Sequence, residues 1–157
     1  MKKQKDIRFY IFPTGFIWVG AVLLLCGLIS AFLYYSGERP DVLDIEAFAV
    51  YSSNIRTKFF TSVKNNILDE MAGVLTLLGL FVMFFSKAKN ENNDVALLRI
   101  KSVFWSMVLT TFLSVLFFVF VYGWPIFVMS SVLFYVFLLF CIVIFRISYW
   151  NKIKKNR

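Results

Sequence analysis

Residues 103–145, VFWSMVLTTFLSVLFFVFVYGWPIFVMSSVLFYVFLLFCIVIF, decide the fold, because the whole stretch contains no charged residue. A transmembrane helix needs about 20 apolar residues, so this stretch is long enough to cross a bilayer twice. A Gly-Trp-Pro sequence at 123–125 divides it, and proline is well tolerated in the first turn of a helix. We therefore predict two transmembrane helices, at about 103–122 and 125–145, joined as a tight hairpin.

Two further apolar runs precede this hairpin, at about 13–35 and 67–85. The first follows a basic N-terminus, as in a signal peptide, but signal peptides have apolar cores of only about 7–15 residues. We therefore interpret it as an uncleaved first span, with Pro13 in its first turn. The second run is short, and it reaches the required length only if Asp69 and Glu70 lie at its outer edge.

The overall composition agrees with four spans in one domain. Hydrophobic residues make up 60% of the 157 residues and charged residues 17%, with a mean hydropathy of +0.75. Soluble proteins contain about 45–50% apolar and about 25% charged residues. We expect an all-α polytopic membrane protein, in which residues 1–157 form a single bundle of four transmembrane helices. An amphipathic outer segment at 37–66 and a basic cytoplasmic tail at 146–157 complete it.

The distribution of basic residues predicts the orientation of the bundle. Most of the 17 basic residues flank the spans at the two termini and between spans two and three. They are Lys2, Lys3, Lys5, Arg8, Lys87, Lys89, Arg99, Lys101, Arg146, Lys152, Lys154, Lys155 and Arg157. The positive-inside rule places both termini in the cytoplasm, and four spans also require both termini on one side. Basic residues at the ends of apolar runs indicate membrane topology and contact with anionic lipids, and not nucleic-acid binding.

The outer segment 37–66 is the largest part of the chain predicted to lie outside the bilayer. In its second half, four apolar residues recur at helical spacing among polar ones, which favours an amphipathic helix on the membrane surface. They are Ile55, Phe59, Phe60 and Val63. An irregular loop folded onto the bundle is the alternative. In either form, this segment is the best candidate for a surface that binds a ligand or a partner.

Asp69 and Glu70 are the acidic residues of the predicted spans, and a carboxylate inside a membrane is a functional-site hypothesis. The structural alternative is that Asn66 caps the second helix, while the two carboxylates favour the positive end of its dipole. Basic residues of the outer segment could neutralise them, namely Arg56, Lys58 and Lys64. Two interpretations stay open: capping with ion pairing, or contact of these five charged residues with a substrate, an ion or a partner.

Small hydroxyl residues recur at every fourth position at the start of the third span, as Ser102, Ser106, Thr110 and Ser114. Steps of four keep them on one stripe of a helix. Small hydroxyl residues let transmembrane helices approach closely, so helix packing is the expected role. Small residues of the other spans offer matching surfaces, namely Gly27, Ala31, Thr76, Gly79, Ser130 and Ser131. A polar pathway along the stripe is the alternative.

The sequence contains no histidine and two cysteines, Cys26 and Cys141, both within apolar spans. The common imidazole metal ligand is therefore missing, and we expect no metal site, no disulfide and no cofactor. The sequence also lacks a phosphate-binding P-loop and the elbow motif of a serine nucleophile. We assign no catalytic residue and expect that the protein is not an enzyme.

Parts of spans two to four resemble a known family. The stretch KFFTSVKNNILDEMAGVLTLLGLFVMFFSKAKNEN at 58–92, followed by LLRIKSVFW and VYGWPIF, resembles a family of small, uncharacterised four-helix membrane proteins of Bacteroidetes-type bacteria. The matching positions are Lys58, Phe59, Phe60, Asn65, Asn66, Asp69, Glu70, Phe85, Ser86, Lys87, Arg99, Trp105, Tyr122 and Gly123. The resemblance covers residues 55–146. It implies a bacterial inner membrane and a shared Asp-Glu position, and it brings no established activity.

On these grounds we expect a non-enzymatic interaction or regulatory subunit of a membrane complex in the bacterial cytoplasmic membrane. Besides the lipid bilayer, its partner would be another membrane protein or a second copy of the chain, and anionic lipids would contact its basic termini. A small oligomeric transporter or channel component is the first alternative, with the hydroxyl stripe as a polar route. An immunity-type protein against a membrane-active toxin is the second.

Overall fold

The computed structural model describes residues 11–37, 40, 43–52, 58–89, 91–121 and 125–155. Four helices and two strands follow one another along the chain. They are α1 (Phe16–Ser36), β1 (Asp44–Ser52), β2 (Lys58–Asn66), α2 (Leu68–Phe85), α3 (Asn93–Phe120) and α4 (Pro125–Lys155). All four helices are long and apolar enough to cross a membrane. The protein is therefore a multi-pass membrane protein, and the predicted class of four transmembrane helices is confirmed.

Consecutive helices run antiparallel, as the ion pair between Asp94 at the start of α3 and Lys152 near the end of α4 illustrates. The helix α2 packs mainly against α1 and less extensively against α4, and α4 also packs against α3. At one end of the bundle, the Phe12 carbonyl accepts a hydrogen bond from the Lys87 amide at 2.8 Å, which joins the start of α1 to the end of α2. At the same end, Lys152 of α4 forms an ion pair of 2.8 Å with Asp94 of α3. We call this end the basic face, and the opposite end, which carries the strands, the hairpin face.

The contact between α1 and α2 requires small residues. A Cβ atom on Gly27 would lie 2.5 Å from the Thr76 Oγ1 atom, and one on Gly79 would lie 2.6 Å from the Leu24 nitrogen. Neither distance is possible for real atoms, so these positions need glycine if the helices are to lie this close. Such packing of small residues is typical of helix pairs in membranes. These small residues thus form a seam between α1 and α2, away from the hydroxyl stripe of α3.

The segment between α1 and α2 differs from both sequence-based expectations. β1 and β2 form an antiparallel two-stranded sheet, in which Asp44 pairs with Asn66. The helical spacing was misleading because the same residues are rich in Phe, Thr and Val, which favour strands. Residues 44–52 form the neighbouring strand β1, which supplies hydrogen-bond partners for the backbone groups of β2. The predicted amphipathic helix is therefore wrong.

Two helices are longer than predicted. α3 begins at Asn93, well before the expected start at residue 103, because the Asn92 side chain caps it by accepting a hydrogen bond from the Val95 amide at 3.0 Å. α4 continues to Lys155, through residues expected to form a tail, and the basic residues of its last turn favour the negative end of the helix dipole.

The other boundaries follow the sequence more closely. α2 agrees with the predicted span to within one residue, and Pro125 starts α4 as expected. Pro13 lies before α1 and not in its first turn, and its carbonyl accepts a hydrogen bond from the Phe16 amide at 3.0 Å. Gly123 and Trp124 of the predicted tight turn lie outside the described residues.

Candidate functional site

The two acidic residues singled out in the sequence lie in the first turn of α2, at the hairpin face, and both are exposed. The Asp69 carboxylate accepts a hydrogen bond from the Glu70 amide at 3.0 Å. Asn66 is buried and connects the sheet to the helix. Its side-chain oxygen accepts a hydrogen bond from the Leu68 amide at 3.3 Å, and its side-chain amide donates to Asp44 at 2.7 Å. The bonds from the Leu68 and Glu70 amides satisfy backbone groups at the start of α2 that have no partner within the helix.

The basic residues expected beside these carboxylates are only partly described. Arg56 lies outside the described residues. Lys58 and Lys64 are described by the backbone of β2, where Lys58 pairs with Ser52 and Lys64 with Glu46. Lys64 therefore lies opposite an acidic residue of β1 in the register of the sheet. A joint contact site of these basic residues with the two carboxylates of α2 stays a prediction.

The hydroxyl stripe of α3 is buried along its first half only. Ser102 and Ser106 are completely buried, whereas Thr110 and Ser114 are partly exposed. The three serines each donate to the carbonyl four residues earlier in their own helix, at 2.6–2.9 Å. Thr110 Oγ1 is buried without a hydrogen-bond partner among the described residues. The three serines therefore donate within α3, and the role of the stripe in helix packing stays a prediction.

Arg99 of α3 is a structurally central residue that sequence reasoning missed. The charge distribution groups it with the residues predicted to lie on the cytoplasmic side, yet it is only 2% exposed. Its guanidinium donates hydrogen bonds to the carbonyls of Phe84 and Ser86 at the end of α2, the second at 3.1 Å. Carbonyls at a helix C-terminus have no partner within the helix, so Arg99 completes the end of α2.

A carboxylate and two aromatic rings complete the surroundings of Arg99, and we call the whole group the Arg99 cluster. Nη2 of Arg99 lies 3.1 Å from Oε2 of Glu91, whose side chain is 5% exposed. The same oxygen accepts a hydrogen bond from the Ala88 amide at 2.8 Å. The guanidinium carbon lies 4.5 Å from the ring centroid of Phe145 and 5.6 Å from that of Phe84, within the range of cation–π contacts. The cluster thus pairs its buried charges and joins α2, α3 and α4 at the basic face.

The sequence contains a signal for this arrangement. Asn92 and Asp94 form the start signal of a helix, and a helix that begins there carries Arg99 about 9 Å along its axis. That position lies beside the end of the preceding helix and not in a loop. The carbonyls that Arg99 bonds to cannot be predicted from the sequence, because they depend on how α2 and α3 pack.

A cavity of about 440 Å³ lies between α2, α3 and α4, and we call it the apolar crevice. It forms because α3 packs mainly against α4 and leaves space beside α2. Its lining side chains are all apolar and include Leu77, Phe81, Val103, Phe134 and Cys141. An ion or a polar solute would lose its hydration here without gaining hydrogen bonds. The crevice therefore suits an apolar side chain or an acyl chain.

Among the described residues, no group of three or more metal-ligating side chains could hold a metal ion. Both cysteines are free thiols. Comparisons with known protein families, with curated proteins and with solved structures found no match for the chain. The family resemblance noted in the sequence therefore stays a prediction.

Proposed function

We propose that the protein is a non-enzymatic subunit of a complex in the bacterial cytoplasmic membrane, with both termini in the cytoplasm. In this proposal, residues 107–120 of α3 pack against a transmembrane helix of another membrane protein. We call these residues the α3 membrane face. The cytoplasmic assignment rests on the excess of basic residues at the basic face.

The observation that carries the proposal is the exposed hydroxyl residue Thr111 on an unburied stretch of α3. None of residues 107–120 is buried as a whole, and Thr111 is exposed. The Thr110 hydroxyl is enclosed by the chain, and the Ser114 hydroxyl donates to the Thr110 carbonyl at 2.9 Å. Lipid tails offer no hydrogen-bond partner to a hydroxyl, whereas interfaces between transmembrane helices are enriched in small hydroxyl residues. A helix is therefore a better neighbour for this face than lipid alone.

The apolar crevice supports the same proposal. It borders α3, and Phe81 and Val103 at its rim are each 36% exposed. Helices associate in membranes through close packing, because moving an apolar side chain from lipid to protein brings no hydrophobic gain. A crevice beside an exposed helix lets a partner helix insert a large apolar side chain and gain dispersion contacts.

The transporter alternative gains no comparable support. A polar route along the stripe needs hydroxyl groups that face an open path, and Ser102 and Ser106 are completely buried. Their hydroxyls are bonded to their own helix at 2.8 and 2.6 Å. The cavity beside them is lined by apolar side chains. The interaction subunit is therefore the function that the geometry favours.

Photo-crosslinking in cells tests the proposal. A photoreactive amino acid replaces Val115 on the α3 membrane face, and in a matched variant it replaces Val22 on α1. The two valines are 56% and 59% exposed. At Val115 we expect a crosslinked product of one defined mass, which is larger than the mass of the chain and differs from the mass of its dimer. At Val22 we expect no crosslinked product. Equal adducts at both positions, adducts with a second copy only, or no adduct would contradict the proposal.

Thr111→Val makes the test more specific, because it removes a hydroxyl and keeps the shape of the side chain. A hydrogen bond between transmembrane helices contributes about 0.6–2 kcal/mol, so the adduct yield at Val115 should fall by about threefold or more. Thr110→Val is the matched control, since the Thr110 hydroxyl is buried within the chain and does not reach a partner. The control should keep the wild-type yield, and an equal fall in both variants would count against a contact at Thr111.

A further inference from the structure

A second cavity, of about 140 Å³, opens at the basic face between the start of α1, the end of α2 and the last turns of α4. We call it the basic pocket. Its lining combines two cations, Lys89 and Arg146, with the hydroxyl residues Thr14 and Tyr149 and with apolar residues that include Ile17 and Ile142. The basic pocket thus differs from the apolar crevice, because it presents charge and apolar surface side by side.

The two cations of the basic pocket are available to a ligand. Lys89 and Arg146 are exposed, and neither forms an ion pair with a carboxylate in the part of the chain that the structure describes. Glu91 and Asp94, the described carboxylates at this face, each pair with a different cation. Two positive charges therefore line one cavity, and an anion between them would form charge-assisted hydrogen bonds with both.

The pocket is built on well-packed elements. Phe84 and Phe145 line it, and both rings also contact the guanidinium of Arg99. Tyr149 stacks on Phe145, with ring centroids 5.9 Å apart and an interplanar angle of 25°. A site whose walls are already ordered loses less conformational entropy when a ligand binds.

The apolar residues of the pocket indicate that the anion belongs to a lipid. Ile17 and Ile142 lie on membrane-spanning helices, so the pocket continues from the basic face towards the bilayer. The volume of the basic pocket is several times the space that one water molecule needs. It is large enough for a phosphate group but too small for a whole phospholipid. A soluble phosphate would leave the apolar wall in contact with water, whereas a lipid covers it. Basic pockets between transmembrane helices are known sites for anionic headgroups.

We propose that the basic pocket binds the phosphate of an anionic phospholipid between Lys89 and Arg146, with the acyl chains along α1 and α4. The site lies on a different part of the bundle from the α3 membrane face. Lipid binding therefore does not depend on a partner helix, and either proposal can fail without the other.

Native mass spectrometry of the full chain in a neutral detergent tests the site. The protein is titrated with phosphatidylglycerol, with phosphatidylcholine and with glycerol 3-phosphate. We expect one tightly bound phosphatidylglycerol, at least about tenfold weaker binding of the zwitterionic lipid, and no binding of the soluble phosphate at the same concentration. Equal binding of the two lipids would overturn a phosphate site between two free cations. Comparable binding of glycerol 3-phosphate would overturn the lipid assignment.

Charge-matched variants locate the binding. Lys89→Gln/Arg146→Gln should weaken phosphatidylglycerol binding by about tenfold or more, because both contacts to the phosphate are lost. Lys101→Gln/Lys155→Gln removes the same charge from exposed positions outside the pocket and should stay within about twofold of wild type. The lipid should also raise the melting temperature of wild type and of the control, but not that of the pocket variant. Equal losses in both double variants would overturn the pocket in favour of a diffuse basic surface.

Discussion

At the scale of single residues, the Arg99 cluster concentrates the polar interactions of the basic face. One guanidinium bonds to two carbonyls at the end of α2 and to a carboxylate just before α3. Its removal would leave three acceptors without their partner, one of them a buried charge. Breaking a buried ion pair from one side is much more destabilising than removing both charges together.

Arg99→Leu should therefore lower the free energy of unfolding by about 3–5 kcal/mol, because the Glu91 carboxylate stays buried without its cation. Arg99→Lys should also lower the free energy of unfolding, but by less than Arg99→Leu. The lysine keeps the positive charge, but its ammonium lacks the planar fork that reaches several acceptors. Chemical denaturation in mixed micelles measures both. The double variant Arg99→Leu/Glu91→Leu should recover part of the loss.

Lys101→Leu is the control for this series, because Lys101 lies on the same helix and is exposed. Its effect should stay within about 0.5 kcal/mol. If Arg99→Leu is no more destabilising than this control, the Arg99 cluster does not hold the basic face together.

At the scale of elements, the spans were predictable because each is an apolar run bounded by polar residues. The strands were not, because Phe59 and Val63 fit a helical period and a strand equally well, and the choice depends on pairing with 44–52. The candidate site shows the same limit. The position of Asp69 at the start of α2 follows from the sequence, whereas the burial of Arg99 depends on three helices meeting.

The seam between α1 and α2 gives a test at this scale. Gly27→Ala should destabilise the protein by about 1–3 kcal/mol, because its Cβ would overlap Thr76. Heat denaturation in detergent measures the effect as a lower melting temperature. Gly15→Ala is the matched control, since a Cβ there meets nothing within 4 Å. A melting temperature for Gly27→Ala at or above that of the control would mean that the helices do not approach as closely as described.

At the scale of the whole molecule, two kinds of surface face different surroundings. Apolar side chains cover the long faces of the helices, and cations collect at the basic face. The α3 membrane face belongs to the apolar surface, and the basic pocket opens at the basic face. Both proposals assume that the hairpin face and the basic face lie on opposite sides of one membrane, with the basic face in the cytoplasm.

Cysteine labelling of intact spheroplasts tests that assumption most directly. In a background in which Cys26 and Cys141 are replaced by alanine, Glu46→Cys places a thiol on β1 and Lys155→Cys places one at the end of α4; both positions are exposed. A membrane-impermeant thiol reagent should label the Glu46→Cys variant at once and the Lys155→Cys variant only after lysis. Labelling of the Lys155→Cys variant in intact spheroplasts, alone or together with the other, would contradict the four-span topology with a cytoplasmic basic face.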